Sequence, residues 1–225
     1  MVATTRSVFD HQLNELRDNV LHLSELIVAQ VQQATLALRD RDMALARRVD
    51  VFDATINRMR YEIEEQCYTL LALQQPNSHD MRSLVATISV VTNLERMGDH
   101  AAGIARLVLR MDGMTCYIPV GEFEKMADIA VANLRDAMTA LATEDKILAR
   151  AVISRDAEID ELHKAVYDRL IKHMVEDTTS VECATMMLWV SHNLERYADR
   201  ISNICERIAY VITGELVKQR ADQMP

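Results

Sequence analysis

The chain has 225 residues, a formal net charge of −9, and 49% hydrophobic with 26% charged residues, the balance of a globular rather than a disordered protein. Its acidity removes the charge attraction that dominates nucleic-acid affinity, and anionic lipid repels it too; no run of Lys and Arg offsets this locally. Only 5 Gly, 3 Pro and 4% aromatic residues speak against turn-rich sheets and for long helices built from Ala, Leu, Met, Arg and Glu.

The breaks divide the chain into six expected helices. The first begins near Arg6 and stops at Arg39-Asp40-Arg41-Asp42, where Asp42 is placed to cap the second. The second runs to Leu73, before a turn at Gln75-Pro76-Asn77-Ser78. In the third, Val90, Leu94, Met97, Ala101, Ile104 and Val108 follow three- and four-residue steps on one face. Met111-Asp112-Gly113 ends it, and a loop continues to Pro119-Val120-Gly121. The fourth spans Glu122 to a break at Thr143-Glu144-Asp145, whose acids suit the first turn of the fifth. The fifth extends to Met174. After Glu176–Ser180, Thr179 and Glu182 have the spacing of a capping box. The sixth carries Val190, Leu194, Ile201, Ile204 and Ile208 on one face and meets a C-terminal cap at Gly214. Trp189 and the methionines read as core filler.

The longest uncharged apolar stretch lies near Leu84–Leu94, too short to cross a bilayer. Met1–Asp10 holds no apolar signal-peptide core. Cys67, Cys116, Cys183 and Cys205 form no CxxC pair, so reduced cysteines in a cytoplasmic protein are expected.

The sequence repeats itself. Asn93-Leu94-Glu95-Arg96-Met97-Gly98-Asp99 returns as Asn193-Leu194-Glu195-Arg196-Tyr197-Ala198-Asp199. Upstream, Asp42, Leu45, Ala46, Arg47, Val49, Asp53, Ala54 and Ile56 match Asp145, Leu148, Ala149, Arg150, Val152, Asp156, Ala157 and Ile159. The register between these blocks changes, which predicts a shorter turn between the second and third helices of the second copy. The fold expected is all-α: two pseudo-symmetric three-helix bundles, over residues 6–112 and 120–215, each up-down-up with short connections.

Each copy carries spaced carboxylates. Glu95 and Asp99 are i and i+4 on one helix face, as are Glu195 and Asp199. Asp156 and Asp160 repeat that spacing on the preceding helix, and their first-copy equivalents are Asp53 and Asn57. Antiparallel neighbours would bring these pairs together as oxygen ligands for a hard cation, or for iron or zinc. The plain alternative is a solvated flank paired with Arg96 or Arg106. His100 and His192 lie near the motifs; His11, His22, His79, His163 and His173 do not. The chain has no HExxH, no GxSxG, no phosphate-cradling Gly-rich loop and no Glu-x-x-His of di-metal bundles, so it is not expected to be an enzyme.

The doubled N-L-E-R-x-x-D motif, the D-x-x-I-[ND] motifs at Asp53–Asn57 and Asp156–Asp160, and Gln74-Gln75-Pro76 followed by Asp80-Met81-Arg82 together resemble the PhoU family. The resemblance covers nearly the whole chain, from about Phe9 to Gly214. It implies a cytoplasmic homodimer of two three-helix bundles. It also implies a negative regulator of phosphate uptake and of the phosphate-starvation response, acting with the phosphate ABC transporter and the phosphate-sensing histidine kinase. Some members hold iron or zinc clusters through E/D-x-x-x-D motifs, which here would make Asp53, Asn57, Glu95, Asp99, Asp156, Asp160, Glu195 and Asp199 the metal residues. Asn57 departs from that pattern. A metal-dependent carboxylate-bundle oxidoreductase stands as the alternative.

Overall fold

The computed structural model describes residues 2–73 and 76–215, with side chains over 6–72 and 76–215; Gln74 and Gln75 of the expected turn lie outside the described residues. Those residues form α1 (Val2–Asp40), α2 (Met43–Leu73), α3 (Ser78–Arg110), α4 (Val120–Thr143), α5 (Lys146–Ser154), α6 (Asp156–Glu176) and α7 (Val181–Thr213), with a single 3₁₀ turn at Thr178–Ser180. No strand occurs among them. The six expected arms are present, but the fifth is broken into α5 and α6 at Arg155. A through-space contact that local pattern does not show accompanies the break. Arg155 Nη1 is held by Asp136 Oδ2 of α4 at 2.5 Å. Around it the backbone tightens to Arg155 N→Val152 O and Glu158 N→Arg155 O bonds.

The helix ends follow side-chain chemistry. Asp42 Oδ1 accepts from Leu45 N at 2.9 Å, and Asp145 Oδ1 from Ile147 N and Leu148 N. Asn77 and Asp80 form a reciprocal capping box at the start of α3. The box expected from Thr179 and Glu182 does not form. Asp177 takes that role instead, accepting from both Thr179 N and Thr179 Oγ1. Arg41 (φ 53) and Glu144 (φ 52) turn left-handed just past α1 and α4, a conformation unfavourable for a side chain larger than glycine's. Arg41 recovers that cost by reaching the loop between the copies, donating to Met114 O and Cys116 O. Gly214 (φ 72) closes α7 as expected.

The first bundle is α1–α3 and the second α4–α7. The most extensive packing joins α3 to α7, with α1 against α4 beside them; α2 packs on α1 and α3, and α6 on α7 and α4. The inner pair therefore carries the shared core. Val90, Leu94, Met97, Ala101, Ile104 and Val108 of α3, and Val190, Leu194, Ile201, Ile204 and Ile208 of α7, are all buried in a continuous apolar cluster. Burial of each large apolar side chain contributes about 1.5–3 kcal/mol. Trp189 is not in that core: it is 56% exposed, with its ring edge-on to His192. The cysteines also differ from expectation. Cys116 and Cys183 form a disulfide that fastens the inter-copy loop to α7, while Cys67 and Cys205 are free and buried. The loop brings Cys116 to Cys183 at a Cα separation of 5.6 Å, inside the range a disulfide spans.

Candidate functional site

The carboxylates sit where the outer arms meet the inner helices. In the first copy Asp53 and Asn57 of α2 face Glu95 and Asp99 of α3, all four half-buried. Asn57 Nδ2 donates to Asp53 Oδ2 at 3.0 Å, and Arg96 Nη1 lies 3.3 Å from Asp99 Oδ2. Asp53 Oδ1 is buried without a hydrogen-bond partner in good geometry. Burial, and then Asp99, push the Asp53 carboxyl up; Glu95 is raised for the same two reasons and held back by Arg96 and Arg60.

In the second copy Asp156 and Asp160 lie on α6, with Glu195 and Asp199 on α7. Glu195 is mostly buried, Asp156 and Asp199 are half-buried, and Asp160 is at the surface. Arg196 Nη1 holds Asp199 Oδ2 at 2.9 Å. Glu195 Oε2 is buried and has no hydrogen bond; His192 Nδ1 lies 3.6 Å away, and the Arg196 guanidinium offsets its charge in part. Burial pushes the Glu195 carboxyl up to about 7, with Asp199, Asp160 and Asp156 adding repulsion against Arg196. A cavity of about 330 Å³ opens beside Asp156 and Asp199, lined also by Arg196, Arg200 and Glu206. The larger depression between α1 and α2, about 780 Å³ and lined by Glu15, Asp18, Glu62 and Glu65, involves none of these residues.

The expected solvated flank is thus only half right. The two Asp residues at i+4 are paired with the arginine of their own motif, whereas Glu195 Oε2 is buried without a hydrogen bond, and Asp53 is offset only by the side-chain amides of Gln30 and Asn57 and by the more distant charge of Arg106. Such oxygens suit a cation, because a buried unpaired carboxylate is otherwise costly. No group of three or more His, Cys, Asp or Glu among the described residues is already in metal-holding geometry. Carboxylate oxygens are the donor type a cation takes, but among the described residues they do not converge on one point.

Sequence reasoning placed His163 away from the motifs. In the structure its Nδ1 lies 2.8 Å from Ser191 Oγ, one turn before Glu195. The available signal was the i, i+3 spacing of Asp160 with His163 and of His192 with Glu195, the reverse in order of the Glu-x-x-His pattern on α7.

The family model described as the PhoU domain matches residues 20–108 and again 123–208. The chain belongs to the PhoU family. A PhoU homolog of Streptococcus pneumoniae serotype 4, described as a phosphate-specific transport system accessory protein, is 36% identical over 212 residues, covering 94% of this chain and 98% of that protein. The crystal structure of the phosphate transport system regulatory protein PhoU from Streptococcus pneumoniae superposes with a TM-score of 0.87 at 34% identity, covering 93% of this chain and 99% of that one. PhoU from Pseudomonas aeruginosa gives the same TM-score at 30% identity, covering 92% and 100%. The PhoU domain limits fall within the two copies read from the motifs, and no helix among the described residues is long and apolar enough to cross a membrane.

Proposed function

We propose that the chain is a non-catalytic regulatory accessory of phosphate transport. It holds down phosphate uptake and the phosphate-starvation response when phosphate is plentiful. Its partners in this reading are the phosphate ABC transporter and the phosphate-sensing histidine kinase, and it works in the cytoplasm as a homodimer. The observation that carries the reading is the near full-length match to relatives described as phosphate-specific transport system accessory proteins. The site supports it, since its polar residues line helix seams rather than a substrate-sized apolar cleft with converging catalytic groups. No comparison supports the oxidoreductase alternative.

The carboxylate seams have a regulatory use in this proposal. Asp53, Glu95 and Asp99, with Asn57, join α2 to α3; Asp156, Asp160, Glu195 and Asp199 join α6 to α7. A bound iron or zinc ion would supply positive charge shared between two helices, so that the carboxylates fasten the outer arm instead of repelling each other. The second copy, with four carboxylates against three and an amide, is the stronger site by ligand charge.

The test is genetic. Deleting the gene in phosphate-rich medium is expected to raise phosphate-uptake reporter output and phosphate import, and the parent chain supplied on a plasmid is expected to restore both. Unchanged reporter output and import in the deletion strain would refute the regulatory reading.

A further inference from the structure

The loop at residues 111–119 joins α3 of the first copy to α4 of the second. Its own backbone bonds, among the described residues, are Met114 N→Met111 O and Val120 N→Ile118 O. Side chains from elsewhere position the rest. Arg41, at the end of α1, donates to Met114 O at 2.7 Å and to Cys116 O at 2.5 Å. The Tyr117 ring rests against His173 of α6 with centroids 5.2 Å apart. Cys116 is bonded to Cys183 in the first turn of α7. The loop is thus held by one arm of the first copy and two of the second.

The four cysteines are not chemically equal. Burial pushes the Cys67 and Cys205 thiols up to about 12, so neither supplies the thiolate that attacks peroxides or disulfides. Cys116 is half-buried on the loop, and Cys183 is buried behind it. A cavity of about 230 Å³ lies against Cys183 and the two neighbours of Cys116, Thr115 and Tyr117, and reaches His173, Asp177 and Ser180. It gives a small molecule or a thiolate a way toward the sulfur atoms. In a cytoplasm, thiol pools reduce disulfides, and one that forms there is transient and catalytic or redox-sensing. The chain is read above as non-catalytic, which leaves sensing.

We propose that Cys116 and Cys183 are a redox-sensing thiol pair, closed by a peroxide and opened by a cellular dithiol, which clasps and releases the joint between the copies. The proposal takes its compartment from the cytoplasmic reading above. In closing, the Cys116 thiolate attacks a peroxide oxygen and the O–O bond breaks. Water or an alcohol leaves with the thiol's proton, and Cys116 becomes a sulfenic acid. The Cys183 sulfur then attacks the Cys116 sulfur, the S–O bond breaks, and hydroxide leaves as water with the Cys183 proton. Two electrons have passed from the thiols to the peroxide. In opening, a thiolate of the dithiol attacks Cys116 Sγ, and the electron pair of the broken S–S bond leaves on Cys183 Sγ. That sulfur lies in the first turn of a 33-residue helix, whose N-terminus favours the negative charge until a proton arrives. The second thiol of the dithiol releases Cys116 and is oxidised with the first to a disulfide. With the pair open, the loop is left to Arg41, the Tyr117–His173 contact and the packing of Met114 and Ile118 on the core.

The test uses folded full-length protein, oxidised as purified in air, treated with dithiothreitol and then returned to stoichiometric hydrogen peroxide. Thiols are located by alkylation and peptide mass, and amide hydrogen exchange is followed over residues 112–118 and 177–184. Dithiothreitol is expected to expose Cys116 and Cys183 without denaturant. Exchange in both segments is expected to rise about tenfold or more, with α1 and α2 unchanged, and peroxide is expected to restore the bridge and the protection. A bridge that opens only after denaturation would overturn the proposal, because the pair would then be a permanent staple. Sulfinic acid in place of a re-formed bridge, or exchange that reduction leaves unaltered, would also overturn it. Cys116→Ser with Cys183→Ser is expected to exchange fast in either buffer. The parent needs no substitution, so a variant that fails to fold does not remove the test. Acid trapping of thiols in cells is expected to find the pair open before peroxide and closed after it. A pair found closed throughout, in a protein that cycles when purified, would overturn the cytoplasmic reading instead.

Discussion

Glu195 offers a direct measure of what its surroundings cost the fold. Its carboxyl is pushed from an ordinary 4.5 to about 7, first by burial and then by Asp199, with Asp160 and Asp156 adding to it. The folded chain therefore keeps a proton there that the unfolded chain has released. Below about pH 4.5 both states are protonated and the site costs nothing. As pH rises toward 7 the folded state binds more protons than the unfolded, so stability falls, and above 7 the full cost is present. At about 1.4 kcal/mol per pH unit the rise corresponds to about 3 kcal/mol. Partial solvation screens the group and reduces this to about 1–2 kcal/mol. Glu195→Gln removes the charge and keeps the shape. In metal-free buffer the variant is expected to exceed the parent by about 1–2 kcal/mol at pH 8, and to match it within about 0.5 kcal/mol at pH 5. Urea unfolding followed by far-ultraviolet dichroism at both pH values measures this, and saturating Zn²⁺ should reverse the order by stabilising only the parent. A variant less stable than the parent at pH 8, or an equal difference at both pH values, would refute the account of Glu195 as a buried carboxylate that Arg196 compensates only in part.

The same geometry sets further outcomes. Asn57→Asp loses the amide donor to Asp53 and adds a fourth carboxylate; it is expected to lower metal-free stability at pH 8 by about 1 kcal/mol, read by urea midpoint, with the loss shrinking at pH 5. Gly121→Ala adds a Cβ in open space on α4 and should gain about 0.5 kcal/mol from helix propensity. Gly103→Ala places its Cβ 2.9 Å from Asn193 Oδ1, which also meets His100 Nδ1 at 3.1 Å; thermal unfolding should show it gaining less than Gly121→Ala or losing stability. Thiol titration of unreduced, denatured protein should count two free cysteines, Cys67 and Cys205, and four after reduction.

The local features of this protein were legible along the chain because their causes are local. Helical periodicity placed Leu94 and Leu194 in the core, Asp42 and Asp145 cap because a short acidic side chain reaches its own next turn, and Gly214 adopts the left-handed cap that an unbranched residue tolerates. The repeat was visible for the same reason: two copies that pack alike keep the same residues on the same faces. The register change falls where it was expected, but the connection between α-helices is not shorter: residues 74–77 separate α2 from α3 and residues 177–180 separate α6 from α7, the latter taken up by the 3₁₀ turn that Asp177 caps.

Energies set across helices were not legible. The fifth arm breaks at Arg155, where Asp136 on another helix holds its guanidinium, a contact that the spacing along the chain does not show. Trp189 looked like core filler, and packing left it facing outward. The motifs made Glu95 and Glu195 look equivalent, yet Arg60 tempers one and no guanidinium occupies that place beside the other. Desolvation and charge depend on distance through space. The docking of α6 on α7 brings His163 to Ser191 across 28 positions of chain, and so decides which carboxylate lacks a partner and which imidazoles stand next to it.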